Sequence, residues 1–392
     1  MTLDLQRARQ ETPGCENVLH FNNAGSSLPP APVLKTVIDY LQLEAQTGGY
    51  EAADASKEAL EKVYDSLAAL LGCQRDEVAL IENATRAWDM AFYSIPFKPG
   101  DRILTAVAEY ASNYIPFLQV ARKTGAQIEV IPNDETGQLS VEALRDMLDE
   151  RVKLIAITHV PTNGGLVNPA AEVGKVAKEA GVLYLLDACQ SVGQMPVNVE
   201  EIGCDFLSAT GRKFLRAPRG TGFLYARKSV LEQIEPVMLD LHSADWVERD
   251  QYSLRPDARR FENWESSQAL RLGLGQAVDY ALQWGLDEIK QRVRLLANDL
   301  RALLQDVRGV TVHDLGREQC GIVTFSVTGK DPDEIKRALA EQKINVSVTR
   351  AVSTRLDMEM RGFASLVRAS VHYYNSEEEV ERFFRVLTEI LK

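Results

Sequence analysis

Cysteine is scarce in this chain. The 392 residues hold five, at positions 15, 73, 189, 204 and 320. No two form a CxxC pair, and none stands at zinc-like spacing from a histidine, so a zinc site or a disulfide-stapled scaffold is not expected. Five free thiols fit a reducing cytoplasm, which is the expected location. Long apolar runs are also missing. Nothing approaches 18 uninterrupted apolar residues, so no membrane-spanning helix is expected. The opening MTLDLQRARQETPG lacks an apolar centre and is not read as a signal peptide. Positive charge is in deficit, with 44 Lys and Arg against 56 Asp and Glu, a net charge of −12. Such a chain repels polyanions as a whole, so neither nucleic acid nor an anionic membrane is an expected partner. A local basic pocket for a small anion stays open. GxxxxGK[ST], HExxH and GxSxG are absent, and no GxGxxG opens a helix after a first strand. No repeat of 20–50 residues is visible.

What is present is ordinary globular composition, 45% hydrophobic and 26% charged, which rules out disorder for most of the chain. The length allows two to three domains. From about residue 30 to about 230, helical patterns alternate with short apolar runs. Helices are expected over 32–46, with Val33, Val37, Leu41 and Ala45 on one face, and over 56–71, 112–123, 140–148 and 170–180. Strands are expected at 78–82, 102–107, 127–131, 154–160, 182–187, 205–209 and 221–226. Runs apolar at nearly every position suit strands buried on both faces. The alternation predicts an α/β fold with a largely parallel sheet of about seven strands sandwiched by helices. Two long helices, at about 267–284 and 287–307, flank Gly285. Beyond it the pattern is strand, helix, strand, strand, helix, a smaller α+β unit. The expected division is a large domain over 16–285 and a small one over 286–392 that also takes in 1–15. The stretch 236–262 reads as a long functional loop.

The chemistry concentrates in LYLLDACQSVGQMPVNVEEIGCDFLSATGRKFLRAPRGTGFLYAR, residues 183–227. Asp187 ends a buried apolar strand, where a carboxylate is costly unless it meets a cation or a strong donor. Gln190 lies three residues on. Lys213 follows the next strand, where a lysine of depressed pKa can form a Schiff base. In open α/β sheets, ligands bind beyond the carboxyl ends of the strands. Taken singly, Asp187 also suits a turn or helix cap, and Lys213 a surface position. Together they ask for a ligand with a protonated ring nitrogen, an aldehyde and an anionic group. Pyridoxal phosphate has all three.

At this point the segment resembles the fold-type I pyridoxal-phosphate enzymes of the class V aminotransferase and cysteine-desulfurase group. Six further motifs are similar, in order along the chain: AGSS (24–27), NATRAW (83–88), AEYASN (108–113), THVPTNGGLVNP (158–169), RFEN (260–263) and VRASVHYYNSEEEV (367–380). The resemblance implies roles. Lys213 matches the Schiff-base lysine that also moves the α-proton, and Asp187 the partner of the pyridine nitrogen; these are the two expected catalytic residues. Gln190 matches the donor to the phenolic oxygen. Ala84 and Thr85 match the helix start that holds the phosphate, completed by Thr210 and Arg212. Tyr110 matches the residue stacked on the ring. Asn163 falls near the phenolic oxygen or the substrate carboxylate, Ser26 on the substrate-side loop, and Arg368 at the arginine that grips the α-carboxylate. No metal is expected. A homodimer with a shared active site is implied.

Three departures shape the functional expectation. Tyr110 stands where the family has histidine, and Arg212 where histidine precedes the lysine. The segment 344–366, which carries the nucleophilic cysteine in true desulfurases, contains none. Persulfide formation needs a thiolate there. Glu265 also stands where a partner-chain hydroxyl is expected to reach the phosphate, although Ser266 and Ser267 follow. The branch matched best is the cysteine-free one of carbon–sulfur lyases, hercynylcysteine sulfoxide lyase-like, through GGYEAAD (48–54), AEYASN and GRKFLRAPRGTGFLY. The expected reaction is β-elimination at carbon–sulfur on a small-molecule amino-acid substrate. A class V aminotransferase or epimerase is the alternative, and a non-catalytic binding protein a remoter one. His159 and His372 read as structural, Cys189 as a small buried residue, and Arg260 with Glu262 as a possible structural pair. Arg212, Arg216 and Arg219 form a cluster too dense for one phosphate. Selection of an anionic substrate by Arg86, Arg216 or Arg350 stays open.

Overall fold

A computed structural model describes residues 3–392. Its centre is a seven-stranded sheet built from the apolar runs: β1 (Val78–Ile81), β2 (Arg102–Ala106), β3 (Gln127–Ile131), β4 (Val152–Thr158), β5 (Leu183–Asp187), β6 (Phe206–Thr210) and β7 (Gly222–Ala226). The strand order is β1-β7-β6-β5-β4-β2-β3. Only β7 runs against its neighbours; the other pairs are parallel. Alternate residues serve opposite faces, as the pleat requires. Leu104, Ile155, Leu186 and Leu207 enter one core. Their neighbours Ile103, Leu154, Leu185 and Phe206 enter the other. Helices cover both faces, which is why these strands read as continuous apolar runs.

Helices α1 (Ala31–Thr47), α2 (Lys57–Leu71), α3 (Ala84–Tyr93), α4 (Ala111–Thr124) and α5 (Ala170–Ala180) precede or link the strands. The long helices α6 (Gln268–Trp284) and α7 (Leu286–Gln305) follow, joined at Gly285 with φ +80°. A four-stranded antiparallel sheet comes next. It contains Val310–Val312, Ile322–Val327, Ser365–Ser370 and Ser347–Arg350, in that spatial order. Its core joins α7 to the last helix, Glu377–Ile390, through Leu296, Leu300, Val367 and Phe383. The N-terminal segment is tied to the same region, because Leu19–His20 pairs in parallel with Ile344–Asn345.

Two expectations need correction. The stretch 236–262 is not an irregular loop. It holds an antiparallel hairpin, Ala244–Glu248 with Gln251–Leu254, and a 3-10 turn at Ala258–Phe261. The hairpin is exposed on nearly every residue, so it lacks the apolar alternation that marks a half-buried strand. On α1, the buried residues are Val33 and Tyr40, while Leu41 and Ala45 are exposed. Leu34, Ile38 and Leu41 thus form an uncovered apolar stripe, each at least 43% exposed. Among the described residues, no helix is long and apolar enough to cross a membrane.

The two histidines read as structural are buried without charge partners. His372 shares a 2.7 Å hydrogen bond with the Phe214 carbonyl, and burial holds its imidazole well below its ordinary range. Burial likewise brings His159 from 6.5 down to about 4. In the unfolded chain both rings take a proton near pH 6.5; in the fold they resist it. The stability they contribute is therefore whole above about pH 6.5 and is lost as pH falls toward about 4. For His159 alone the difference is on the order of 3 kcal/mol. Urea midpoints are expected to drop across that window, and His159→Asn to flatten the drop. A midpoint constant from about pH 7 to about pH 4 contradicts this.

Candidate active site

The parallel strands β2, β4, β5 and β6 end on one side of the sheet, and the residues just past them converge. Thr158 sits opposite Asp187, and Asp187 opposite Ser208, in the strand registers. Asp187 is 4% exposed. Its Oδ1 accepts from the Cys189 N–H at 2.9 Å, and its Oδ2 from Asn113 Nδ2 at 2.9 Å. Lys213 comes three residues after β6. Burial lowers its pKa, opposed by the charge of Asp187 and assisted by those of Arg212 and Arg368. Its amine makes no hydrogen bond or ion pair among the described residues, so its lone pair is available to an electrophile.

The anion cradle lies beside this pair. Asn83 caps α3, accepting from the Arg86 N–H at 3.0 Å. The N–H groups of Ala84 and Thr85, at the positive end of α3, then have no acceptor within the helix. Gly222 brings β7 against that helix start. A Cβ there meets the Asn83 carbonyl carbon and the Ala209 oxygen at 2.8 Å, so any side chain closes the gap. Thr210, paired with Gly222, donates to the Thr221 carbonyl at 3.3 Å. A 280 Å³ cavity adjoins, lined by Gly220, Gly222, Ser266 and Arg271 among others. Ser266 Oγ is buried in it without a partner.

Other residues singled out in the sequence take varied places. Gln190 is 2% exposed; its Nε2 donates to the Ala24 carbonyl at 3.2 Å, and its Oε1 is buried with no partner. Tyr110 caps the start of α4 and is half-buried. Ser26 lies on the 24–27 loop, where its carbonyl meets His20 Nε2 at 2.8 Å. Arg212 donates to the Gly25 carbonyl of that loop, and burial lowers its pKa. Arg368 is buried on the strand Ser365–Ser370. Its Nη1 donates to the Thr162 carbonyl and hydroxyl at 2.9 and 2.6 Å, while its Nε has no partner. Burial and the charge of Arg212 bring it down to about 10. Neither guanidinium has a carboxylate partner among the described residues, and the two are close enough for the charge of Arg212 to act on Arg368. Cys189 is kept neutral, its thiol pushed well up by burial and by Asp187.

Several residues are spent elsewhere. Asn163 turns to the segment after 350: it accepts from Thr354 Oγ1 at 2.7 Å and donates to Asp357 Oδ2 at 3.0 Å. Arg361 closes that link through Asp357 at 3.3 Å and the His313 carbonyl. Arg216 is not available to an anionic ligand. It is 1% exposed with φ +64°, donates to Leu28 O, Tyr373 Oη and Thr12 Oγ1, and lies 4.3 Å from the Tyr374 ring. Arg350 pairs with exposed Asp333, and Arg86 contacts the sulfurs of Met90 and Met238. Arg260 and Glu262 are not partners. Arg260 binds the carbonyls of Arg255 and Leu231, and Glu262 accepts from Tyr64, Leu80 N and Arg271 and meets His242. The sequence reading missed Asn113 and Glu109, which stand behind Asp187. Their spacing, i and i+4 across a helix start, was the available signal.

These residues fit pyridoxal phosphate. Lys213 offers an amine for the aldehyde, Asp187 a carboxylate for the ring nitrogen, Gln190 an unsatisfied amide, and α3 with Gly222 a cradle for the phosphate. The class V aminotransferase model matches residues 19–383, and the chain belongs to this family of pyridoxal-phosphate enzymes. It is 28% identical over 388 residues to a probable cysteine desulfurase of Methanothermobacter thermautotrophicus, covering 97% of each chain. The apo structure of a cysteine desulfurase from Thermococcus onnurineus NA1 superposes with a TM-score of 0.92 at 28% identity, covering 100% of this chain and 98% of that one. The cystine C–S lyase C-DES, solved with its product cysteine persulfide, shares the fold at TM-score 0.87 and 22% identity, over 96% of this chain and 99% of its own. The fold is thus the fold-type I architecture.

Proposed function

We propose that this chain is a pyridoxal-phosphate-dependent carbon–sulfur lyase acting on a cysteine conjugate or sulfoxide. The cofactor, when bound, supplies an electron sink for bonds at the substrate α-carbon. The chain's residues do the rest. Arg368 binds the α-carboxylate, with its free Nε and second Nη available for a two-pronged contact. Asp187, buried at 4% exposure, would hold a positive charge at its carboxylate. Lys213, with its lowered pKa, takes the α-proton at Nζ. Gln190 and Tyr110 would help hold the cofactor ring.

One observation carries the choice of reaction: the site has no thiol able to accept sulfur. The segment 344–366 has no cysteine, and Thr354 and Asp357 are tied to Asn163. Cys189, beside Asp187, is held neutral by burial and by the charge of Asp187. Sulfur then leaves with its own substituent. A conjugate plus water gives pyruvate, ammonia and a free thiol or sulfenic acid, with no protein persulfide. A panel of cysteine S-conjugates, sulfoxides and plain amino acids tests this. Pyruvate without added keto acid supports the lyase. A cofactor left as its amine until an acceptor is added points to an aminotransferase, and racemised substrate to an epimerase. Persulfide on the protein overturns the reading.

The working unit is a homodimer in this account. Leu34, Ile38 and Leu41 of α1, with exposed Tyr50 and Trp264, supply an uncovered apolar face for a second copy. Light scattering is expected to give twice the chain mass, and Ile38→Glu with Leu41→Glu to halve it. A monomeric parent protein contradicts the proposal.

A further inference from the structure

Asp187 shares the Asn113 amide with another buried acid. Glu109 lies three residues past β2 and is 3% exposed. Its Oε1 accepts from Thr158 Oγ1 at 2.6 Å, the Tyr110 N–H at 2.7 Å and Asn113 Nδ2 at 2.9 Å; its Oε2 accepts from Thr105 Oγ1 at 3.1 Å. The same Asn113 nitrogen donates to Asp187 Oδ2 at 2.9 Å. An amide nitrogen carries two hydrogens, so each carboxylate takes one. Among the described residues no cation forms an ion pair or hydrogen bond with Glu109, and the groups facing it from β2, β4, β5 and α4 are Thr105, Thr158, Asp187, Asn113 and the Tyr110 backbone. Burial, with the charge of Asp187, pushes its carboxyl up to about 7 against the pull of its donors.

A fold needing only a strut here is served more cheaply by a neutral side chain, because a second buried acid beside a first is costly. The cost is offset if a cation sits opposite Asp187. We propose that Glu109 is a positioning residue for Asp187: through Asn113 it fixes the orientation of the Asp187 carboxylate and adds a second negative charge behind the cofactor's ring nitrogen. This rests on the reading that Asp187 partners that nitrogen. The charge keeps the ring protonated at neutral and mildly alkaline pH, and the shared amide prevents Asp187 from rotating away. When the ring cation is in place, Glu109 ionises more readily than it does alone, since an opposite charge favours the carboxylate.

The test uses holoenzyme loaded with pyridoxal phosphate carrying nitrogen-15 in the ring. Its ring resonance is followed from about pH 6 to about pH 9, where the ordinary carboxylate range has been passed. In the parent protein the ring is expected to stay protonated throughout. In Glu109→Gln it is expected to lose its proton within the range, and the cofactor to bind more weakly than in the parent, with a dissociation constant raised roughly tenfold. Glu109→Asp is expected to fall between the two. Asn113→Ala leaves Glu109 its other three donors and serves if Glu109→Gln does not fold; it is expected to loosen the cofactor likewise. A merely structural Glu109 lowers the melting temperature and leaves the ring resonance unmoved, which overturns the proposal. If Asp187→Asn shifts the ring resonance and Glu109→Gln does not, this inference alone fails. If the parent takes up no cofactor, the underlying reading fails with it.

Discussion

Lys213→Ala is expected to fold like the parent protein and to lose both the visible cofactor band and turnover. Among the described residues the Lys213 amine makes no hydrogen bond or ion pair, and its pKa is depressed by burial. On the proposed reading, removing it deletes the covalent anchor and the base for the α-proton together. Positioned proton transfer alone is worth on the order of 10²–10⁴ in rate, so the turnover loss is expected at or beyond about 10⁴-fold. Absorbance of the purified protein and pyruvate release from a cysteine conjugate check the two losses separately. Lysine-free protein that still shows the band and turns over at the parent rate contradicts the assignment.

Asp187→Asn is the second large effect. The substitution keeps the shape but removes the charge, and the Oδ2 that accepts from Asn113 becomes either a carbonyl or an amide. Where it becomes an amide, two donors meet head to head. On the proposed reading, the ring nitrogen of the cofactor loses its anionic partner beside a buried carboxylate site, where charges are weakly screened. Loss of one preorganised electrostatic contact of this kind costs on the order of 10²–10³ in turnover. The cofactor is expected to remain attached through Lys213, so the visible band persists while turnover falls. Equal loss of the band and of turnover places Asp187 in folding or capture instead.

The sequence was most legible where local pattern and burial coincide. Continuous apolar runs at 102–106, 152–158 and 183–187 mark strands covered on both faces, and the structure has them there. Lys213 and Asp187 stood out because Asp187 ends one such run and Lys213 follows the strand at 206–210, where a sheet of this kind delivers residues to a ligand. What was hidden depended on distant partners. Arg216 looked like part of an anion-binding cluster, yet Thr12 and Tyr373, far away in sequence, take its donors. Asn163 looked free for a ligand, yet Thr354 and Asp357 take its amide. Glu262 and Arg260 are adjacent enough to suggest a pair, but their side chains leave the 3-10 turn in different directions toward separate partners. Leu41 carried a helical period, but periodicity marks an apolar face without saying whether the chain itself covers it. The exposed hairpin at 244–254 had no period to read, since neither face is buried.

The account turns on a carbon–nitrogen bond between one lysine and an aldehyde. Holoenzyme reduced with borohydride, digested and mapped by mass spectrometry tests that bond directly, because reduction makes it permanent. A single pyridoxyl-phosphate adduct on the peptide containing Lys213 is the predicted result. An unmodified digest, or the adduct on any other lysine, contradicts the account.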